Sequence, residues 1–228
     1  MDKQKILLIG SSGFAGNHVM QEISRRDFEL TTLSRKTPQD LPANVINQLF
    51  DFESLHLETE MPHSDHLVIC LGTPLKLWEL IYIKNKNRSK FIKTDKELVI
   101  NLARAAKKSG IKNISIVSAV GANSDSLNTY LKTKGQVEEE IINMDFESTN
   151  IFRPAHMCGR IEWEKAKDSY RFDVLVGEYI SILPKPFMVG PLTPYKGVDI
   201  DVLARSIVNN LNKNSTGVQY FTYEDFLG

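Results

Sequence analysis

Cysteine is scarce in this chain: two in 228 residues, Cys70 and Cys158. Two cannot build a disulfide scaffold. Both stand in apolar stretches, so they read as buried free thiols of a protein in a reducing compartment. Net charge is absent too, because 28 Lys+Arg are matched by 28 Asp+Glu. A chain without an overall sign has no electrostatic pull toward nucleic acid or an anionic membrane. Neither is an expected partner. No apolar run approaches the ~20 residues that span a bilayer. The opening MDKQKILLIGSSG carries too short an apolar run for a signal peptide and suits the first strand of a cytoplasmic protein. His63-x-x-His66 lacks further ligands at metal-binding spacing, so no metal is expected and the pair belongs in a solvated loop. Neither a Cys–His nucleophile pattern nor a G-x-S-x-G elbow occurs, which disfavours hydrolysis.

What is present is an alternation. Lys5–Gly10 (KILLIG) is a continuous apolar run, as a strand buried on both faces of a parallel sheet would be. A helical stripe of Val19, Met20 and Ile23 follows. Further strands are expected at Leu30–Ser34, Val45–Phe50, Leu67–Gly72, Ile114–Ser118 and Thr149–Phe152, with an edge strand at Val218–Thr222. Helices are expected over Asp95–Ser109, Leu131–Met144 and Asp199–Leu211. Strands alternating with helices predict a doubly wound parallel sheet, a three-layer α/β/α Rossmann fold. The whole chain, 1–228, forms one such domain, with 155–198 as a small substrate-side region lacking that rhythm. Leu75–Ile83, which holds Trp78 and Tyr82, precedes a basic run of Lys84, Lys86, Arg88, Lys90 and Lys93. A solvated loop or frayed helix is expected there; a mobile lid or partner surface is the alternative.

Gly10, Gly13 and Gly16 form G-x-x-G-x-x-G between the first strand and first helix. One glycine serves the tight turn, one lets the backbone approach a pyrophosphate, and one lets helix and strand pack closely. The helix N-terminus then offers N–H groups and a positive dipole end to phosphate. Ser11, Ser12, Phe14 and Ala15 complete this cofactor-binding turn. An NAD-selecting site commonly carries a carboxylate at the end of the second strand. Here Ser34-Arg35-Lys36 stands there, and a guanidinium fork suits a 2′-phosphate. NADP(H) is therefore favoured over NAD(H). Asp51 and Phe52, after the third strand, fall where adenine would lie.

Ser118 ends the fifth strand, and Tyr130 and Lys134 follow on the next helix. The i, i+4 spacing puts Tyr130 and Lys134 on one face. A tyrosine near its ordinary pKa of ~10 is a poor proton shuttle at neutrality, and a neighbouring ammonium lowers that value. Tyr130 would be the general acid or base. Ser118 would hydrogen-bond the substrate oxygen and steady developing charge. Lys134 would also reach the nicotinamide ribose. A plainer alternative pairs Lys134 with Glu138. Glu138, Glu139 and Glu140 read as a solvated acidic helix face.

GSSGFAG, LGTP, VSAVGA, YLKTK and IFRP together resemble the short-chain dehydrogenase/reductase superfamily. DFESL, VSAVGANS…YLKTKGQVEEEI, NIFRP and the closing YEDFLG are similar to its atypical branch, near the Tat-interacting-protein-type oxidoreductases. The resemblance covers nearly the whole chain. It implies a Rossmann domain, NADP(H) binding, the roles above for Ser118, Tyr130 and Lys134, and nicotinamide-side contacts from Leu71, Gly72 and Thr73 and from Pro154, Ala155 and His156. His156 stands where that branch tends to have a small residue, and 74–94 is longer than expected of it. The sequence thus points to an NADP(H)-dependent oxidoreductase of a small carbonyl or alcohol. An NADP(H)-binding sensor with little turnover is the alternative, and a sugar-nucleotide epimerase ranks third. A small-molecule substrate is the expected partner, and a homodimer is compatible with the chain.

Overall fold

The computed structural model describes residues 3–38, 40–52, 61–73, 75, 79, 82–160, 188–212 and 215–228. Its centre is β1 (Gln4–Ile9), whose four apolar residues Ile6–Ile9 are wholly buried. Side chains alternate across a strand, so Ile6 and Leu8 face one core while Leu7 and Ile9 face the other. The first core is closed by Val19, Met20 and Ile23 of α1 (Phe14–Ser24) and by Leu203 and Ile207 of a late helix, α5 (Ile200–Asn209). The second is closed by Val99, Leu102 and Ala106 of α3 (Val99–Lys108) and by Val137 and Ile141 of α4 (Thr129–Ile142). Each wholly buried Leu or Ile is worth about 1.5–3 kcal/mol relative to exposure.

The remaining strands are β2 (Phe28–Ser34), β3 (Val45–Leu49), β4 (His66–Ile69), β5 (Asn113–Val117), β6 (Ser148–Phe152), the short β7 (Met157–Cys158) and β8 (Val198–Asp199), and β9 (Gly217–Phe221). Seven make one sheet in the order β3-β2-β1-β4-β5-β6-β9, and every neighbouring pair is parallel. This is the expected doubly wound Rossmann sheet. Its order reverses between β1 and β4, and open α/β sheets bind ligands at that crevice, beyond the strands' carboxyl ends. A second ladder joins β7 to β8. The chain closes on α6 (Tyr223–Phe226), fixed by a Thr222–Asp225 capping box. No helix among the described residues is long and apolar enough to cross a membrane. Cys70 and Cys158 are buried and form no disulfide with one another, and burial pushes the Cys70 thiol up to about 12.

Three sequence expectations need correction. The helix expected to begin at Asp95 begins ten residues earlier, as α2 (Asn85–Ile92), and passes through a π-helical turn, Lys93–Leu98, into α3. The basic run is therefore helical. Lys84, Lys86, Lys90 and Lys93 are exposed, while Phe91, 1% exposed, anchors it. His66 is no loop residue: it opens β4, buried, with Nε2 2.8 Å from the Ser115 hydroxyl. Burial lowers its pKa to about 3, because a protonated imidazole there would lose its hydration. The acidic helix face divides, with Glu139 and Glu140 exposed and Glu138 buried. Trp78, Trp163 and residues 161–187 of the substrate-side region lie outside the described residues.

Candidate functional site

The glycine turn lies at the crevice between β1 and β4. Gly10 adopts φ +98°, the left-handed region that L side chains avoid, and a Cβ on it would come 2.7 Å from the Cys70 carbonyl oxygen. A Cβ on Gly16 would come 2.0 Å from the Gly10 carbonyl oxygen, so α1 can approach β1 this closely only with glycine there. At Gly13 the nearest atom to such a Cβ is 3.3 Å away, again the Gly10 carbonyl oxygen. Gly13 and Ser12 are exposed, while Phe14 and Ala15 are buried in α1's first turn. The Ser11 hydroxyl is buried without a hydrogen-bond partner. Two tight backbone approaches, an exposed middle glycine, an unpaired buried hydroxyl and a free helix N-terminus fit a pyrophosphate.

At the end of β2 the Ser34 hydroxyl lies 2.8 Å from both the Lys36 carbonyl and the Asn47 side-chain oxygen. Ser34 therefore shapes the turn. Arg35 and Lys36 are exposed and have no ion-pair partner among the described residues. Phe52 leans on Phe50 with ring centroids 5.2 Å apart, and Asp51 beside it is exposed.

On the other side of the crevice the charges are buried and paired. Asn128 caps α4 by accepting from the Leu131 amide, which starts the helix just before Tyr130. Gly135 lets the loop after β5 lie on α4, since a Cβ there would come 2.3 Å from Asn123 and Ser124 backbone atoms. That contact brings the end of β5 to the helix carrying Tyr130. Lys134 Nζ donates to Asp95 Oδ1 at 3.2 Å, with the two side chains 8% and 2% exposed. The other Asp95 oxygen accepts from the Thr73 amide at 2.8 Å, which ties the π turn to the loop after β4. In that loop Leu71 and Thr73 are half-buried and Gly72 is exposed. Tyr130 lies against Phe91, ring centroids 6.1 Å apart. Burial raises the Tyr130 pKa; Lys134 pulls it down and Asp95 pushes it up. Asp95 and Tyr130 hold Lys134 above its ordinary value against burial.

The Ser118 proton is already committed. Its hydroxyl donates to Glu138 Oε1. Arg153 completes the cluster, its Nε donating to Glu138 Oε1 at 3.0 Å and its Nη2 donating to Oε2. The guanidinium also lies over the Tyr220 ring, 4.3 Å from the centroid. Glu138 is thus taken by Ser118 and Arg153, and Lys134 pairs with Asp95. A cavity of about 10 Å³, near the size that admits one water, is lined by Asp95, Ser118 and Lys134. Pro154 accepts from the Val120 amide, and the half-buried His156 accepts from the Val198 amide through its carbonyl. The Pro154–His156 loop is thereby held between the end of β5 and β8. The neighbour that sequence reasoning missed is Asp95, and Glu138, which helical spacing offered as a partner of Lys134, is held by Ser118 and Arg153.

Residues 10–162 match a family model described as NAD(P)H-binding. Protein HTATIP2 of Rattus norvegicus is 26% identical over 225 residues, 95% of this chain and 85% of that protein. Protein FMP52, mitochondrial, of Candida albicans is 28% identical over 207 residues, 86% of this chain and 84% of that protein. Among solved structures, human epimerase family protein SDR39U1 with NADPH superposes with a TM-score of 0.64 at 18% identity, covering 96% of this chain and 74% of that one. MoeE5 in complex with UDP-glucose and NAD gives 0.69 at 15% identity, with coverages of 96% and 76%. At such identities the structural likeness concerns the fold alone.

Proposed function

This chain belongs to the NAD(P)H-binding family as an atypical short-chain dehydrogenase/reductase, and from that premise we propose that it is an NADP(H)-dependent oxidoreductase of a small carbonyl or alcohol. The observation that carries the reading is the pair Tyr130–Lys134, one helical turn apart on α4, with Lys134 buried and charged beside the phenol. When bound, the nicotinamide supplies or accepts hydride at the substrate carbon. Tyr130 passes its proton to the oxygen of a reduced carbonyl or takes it back from an alcohol. Lys134 steadies the phenol's charge and reaches the nicotinamide ribose. Ser118 serves the substrate oxygen once its proton turns from Glu138 to that oxygen.

The glycine turn would hold the pyrophosphate, with Leu71, Gly72, Thr73, Pro154, Ala155 and His156 along the nicotinamide and Asp51 and Phe52 near adenine. Arg35 and Lys36 support NADP(H) over NAD(H), since two exposed cations with no ion-pair partner among the described residues suit a 2′-phosphate. The test is turnover across a panel of small aldehydes and ketones with NADPH. Tyr130→Phe should lose about 10²–10⁴-fold in kcat and keep its affinity for NADPH. Tight NADPH binding with no turnover in the parent would favour the second reading, a cofactor-binding sensor. That reading has its own observation, the Ser118 proton committed to Glu138. The epimerase reading stays third. We place the chain in the cytoplasm; a full-length fluorescent fusion that follows mitochondria, as the name of the Candida relative would suggest, would overturn that placement.

A further inference from the structure

We infer that Asp95 is a positioning residue that offsets the pull of Lys134 on the Tyr130 proton, so that the phenol is not drawn toward the phenolate. This rests on the reading of Tyr130 as the proton-transfer group. An ammonium next to a buried phenol ordinarily draws the proton off, because it stabilises the phenolate. Here the ammonium is already engaged. Lys134 Nζ lies 3.2 Å from Asp95 Oδ1, and both groups are out of solvent, where opposite charges act on a neighbour nearly as a dipole. A phenolate at Tyr130 would feel attraction to Lys134 offset by repulsion from Asp95, with burial still penalising its charge.

The backbone makes this arrangement stiff. Asp95 lies inside a π-helical turn, and such turns break the regular helix mostly at functional sites. Its second oxygen is held by the Thr73 amide at 2.8 Å, so the carboxylate is fixed from the loop after β4 as well as from α4. Among the described residues, Lys134 is the cation that acts on Tyr130. α2 presents the Phe91 ring to Tyr130. From α4, Glu138 acts on Lys134 as a further anion, itself bound by Arg153 from the end of β6 and by Ser118 from the end of β5. Among the described residues, burial raises the Tyr130 pKa most, Lys134 lowers it and Asp95 raises it, and together they hold it above the ordinary tyrosine value.

In reduction a bound nicotinamide would supply hydride to the carbonyl carbon, the C=O π bond opens, and the oxygen takes the Tyr130 proton, leaving an alcohol and a phenolate that solvent reprotonates; oxidation is the same sequence reversed and begins from the phenolate.

The experiment titrates Tyr130 in the cofactor-free chain. Ultraviolet tyrosinate absorbance is followed against pH, and the same trace from Tyr130→Phe is subtracted to remove the other six tyrosines of the seven. The parent's Tyr130 should titrate above the ordinary value of about 10; a midpoint below it overturns the proposal without any variant. Asp95→Asn keeps an acceptor for the Thr73 amide and removes the charge together with the acceptor that faces Lys134. Its Tyr130 midpoint should fall by about one pH unit or more, and Asp95→Glu should restore it. An unchanged or higher midpoint in Asp95→Asn overturns the assignment. For turnover, ketone reduction by the parent should stay level with rising pH until Tyr130 ionises, and Asp95→Asn should lose rate earlier. The titration needs no turnover, so the two readings fail separately. The expected titration without turnover would sink the enzyme reading alone. Turnover dependent on Tyr130 with an unmoved midpoint in Asp95→Asn would sink the role of Asp95 alone.

Discussion

The two sides of the crevice treat positive charge in opposite ways. At the end of β2, Arg35 and Lys36 stand in solvent with no ion-pair partner among the described residues. Around α4, Lys134 is buried and tied to Asp95, and Arg153 is tied to the buried Glu138. Exposed cations cost the fold little to carry, and each keeps its charge for a ligand. A buried ammonium such as Lys134 would be prohibitive alone, so it comes with a carboxylate, as the half-buried Arg153 also does, and the chain has to be folded correctly before either pair exists. One side is thus open to an anion arriving from solvent, the 2′-phosphate of the proposed reading. The other is built to fix the ionisation of a few groups in place.

The hardest way to break this contrast is to remove one partner of the buried pair. Asp95→Ala should cost about 3–5 kcal/mol in a urea melt, because the Lys134 ammonium is left buried and unpaired. Arg35→Ala and Lys36→Ala should each change stability by less than about 0.5 kcal/mol in the same melt. Equal losses on both sides would erase the distinction. Next in size is Gly16→Ala, which tests whether the cofactor side is held by backbone approach. With a Cβ at 2.0 Å from the Gly10 carbonyl, α1 must shift, for about 1–3 kcal/mol of stability and a loss of NADPH affinity by titration calorimetry. A variant as stable as the parent would mean that the turn yields readily.

How much of this was legible in the sequence depends on how far apart the cooperating residues lie. KILLIG, the three glycines and Tyr130-x-x-x-Lys134 each act within one strand, turn or helix face, and the sheet and crevice follow from such local patterns. Asp95 meets Lys134 across 39 residues and Thr73 across 22, and no periodicity links those positions. The π turn that aims it is also hidden, since the residues around it fit an ordinary helix. Glu138 looked solvated because it sits in a run of three glutamates. Yet Lys134, Val137, Glu138 and Ile141 form one buried stripe of α4, and of the three glutamates Glu139 and Glu140 face water. His66 was misread for a similar reason. Its neighbour Asp65 is exposed, and the strand's burial begins one residue before the apolar run does.

His66 sharpens the contrast from a third position, a buried titratable group kept neutral instead of paired. Its folded pKa of about 3 lies below the ordinary histidine value, so the unfolded chain binds the extra proton first as pH falls. Its contribution is complete above about pH 6.5 and is lost toward pH 3, at about 1.4 kcal/mol per pH unit inside that window. Stability measured by urea at pH 7 and pH 5.5 should therefore drop more in the parent than in His66→Leu. Identical drops would show that some other group sets the acid limb.

The smallest effect belongs to the exposed cations, and it should appear in binding alone. A charge-assisted hydrogen bond to phosphate is worth about 1.5–3 kcal/mol, and exposure of Arg35 puts it at the low end. Arg35→Asp should weaken NADPH about tenfold and leave NADH nearly unchanged, by titration calorimetry. Because Arg35 stands in solvent, part of the parent's preference should also fade as salt shortens the Debye length from ~10 Å at 0.1 M to ~3 Å at 1 M. The buried Lys134–Asp95 pair, screened by protein, should keep the Tyr130 midpoint fixed over the same salt range. Equal losses of NADPH and NADH in Arg35→Asp would end the assignment of a 2′-phosphate to the end of β2. A Tyr130 midpoint that moved with salt as much as the NADPH preference would show that the two sides of the crevice do not differ in solvent access.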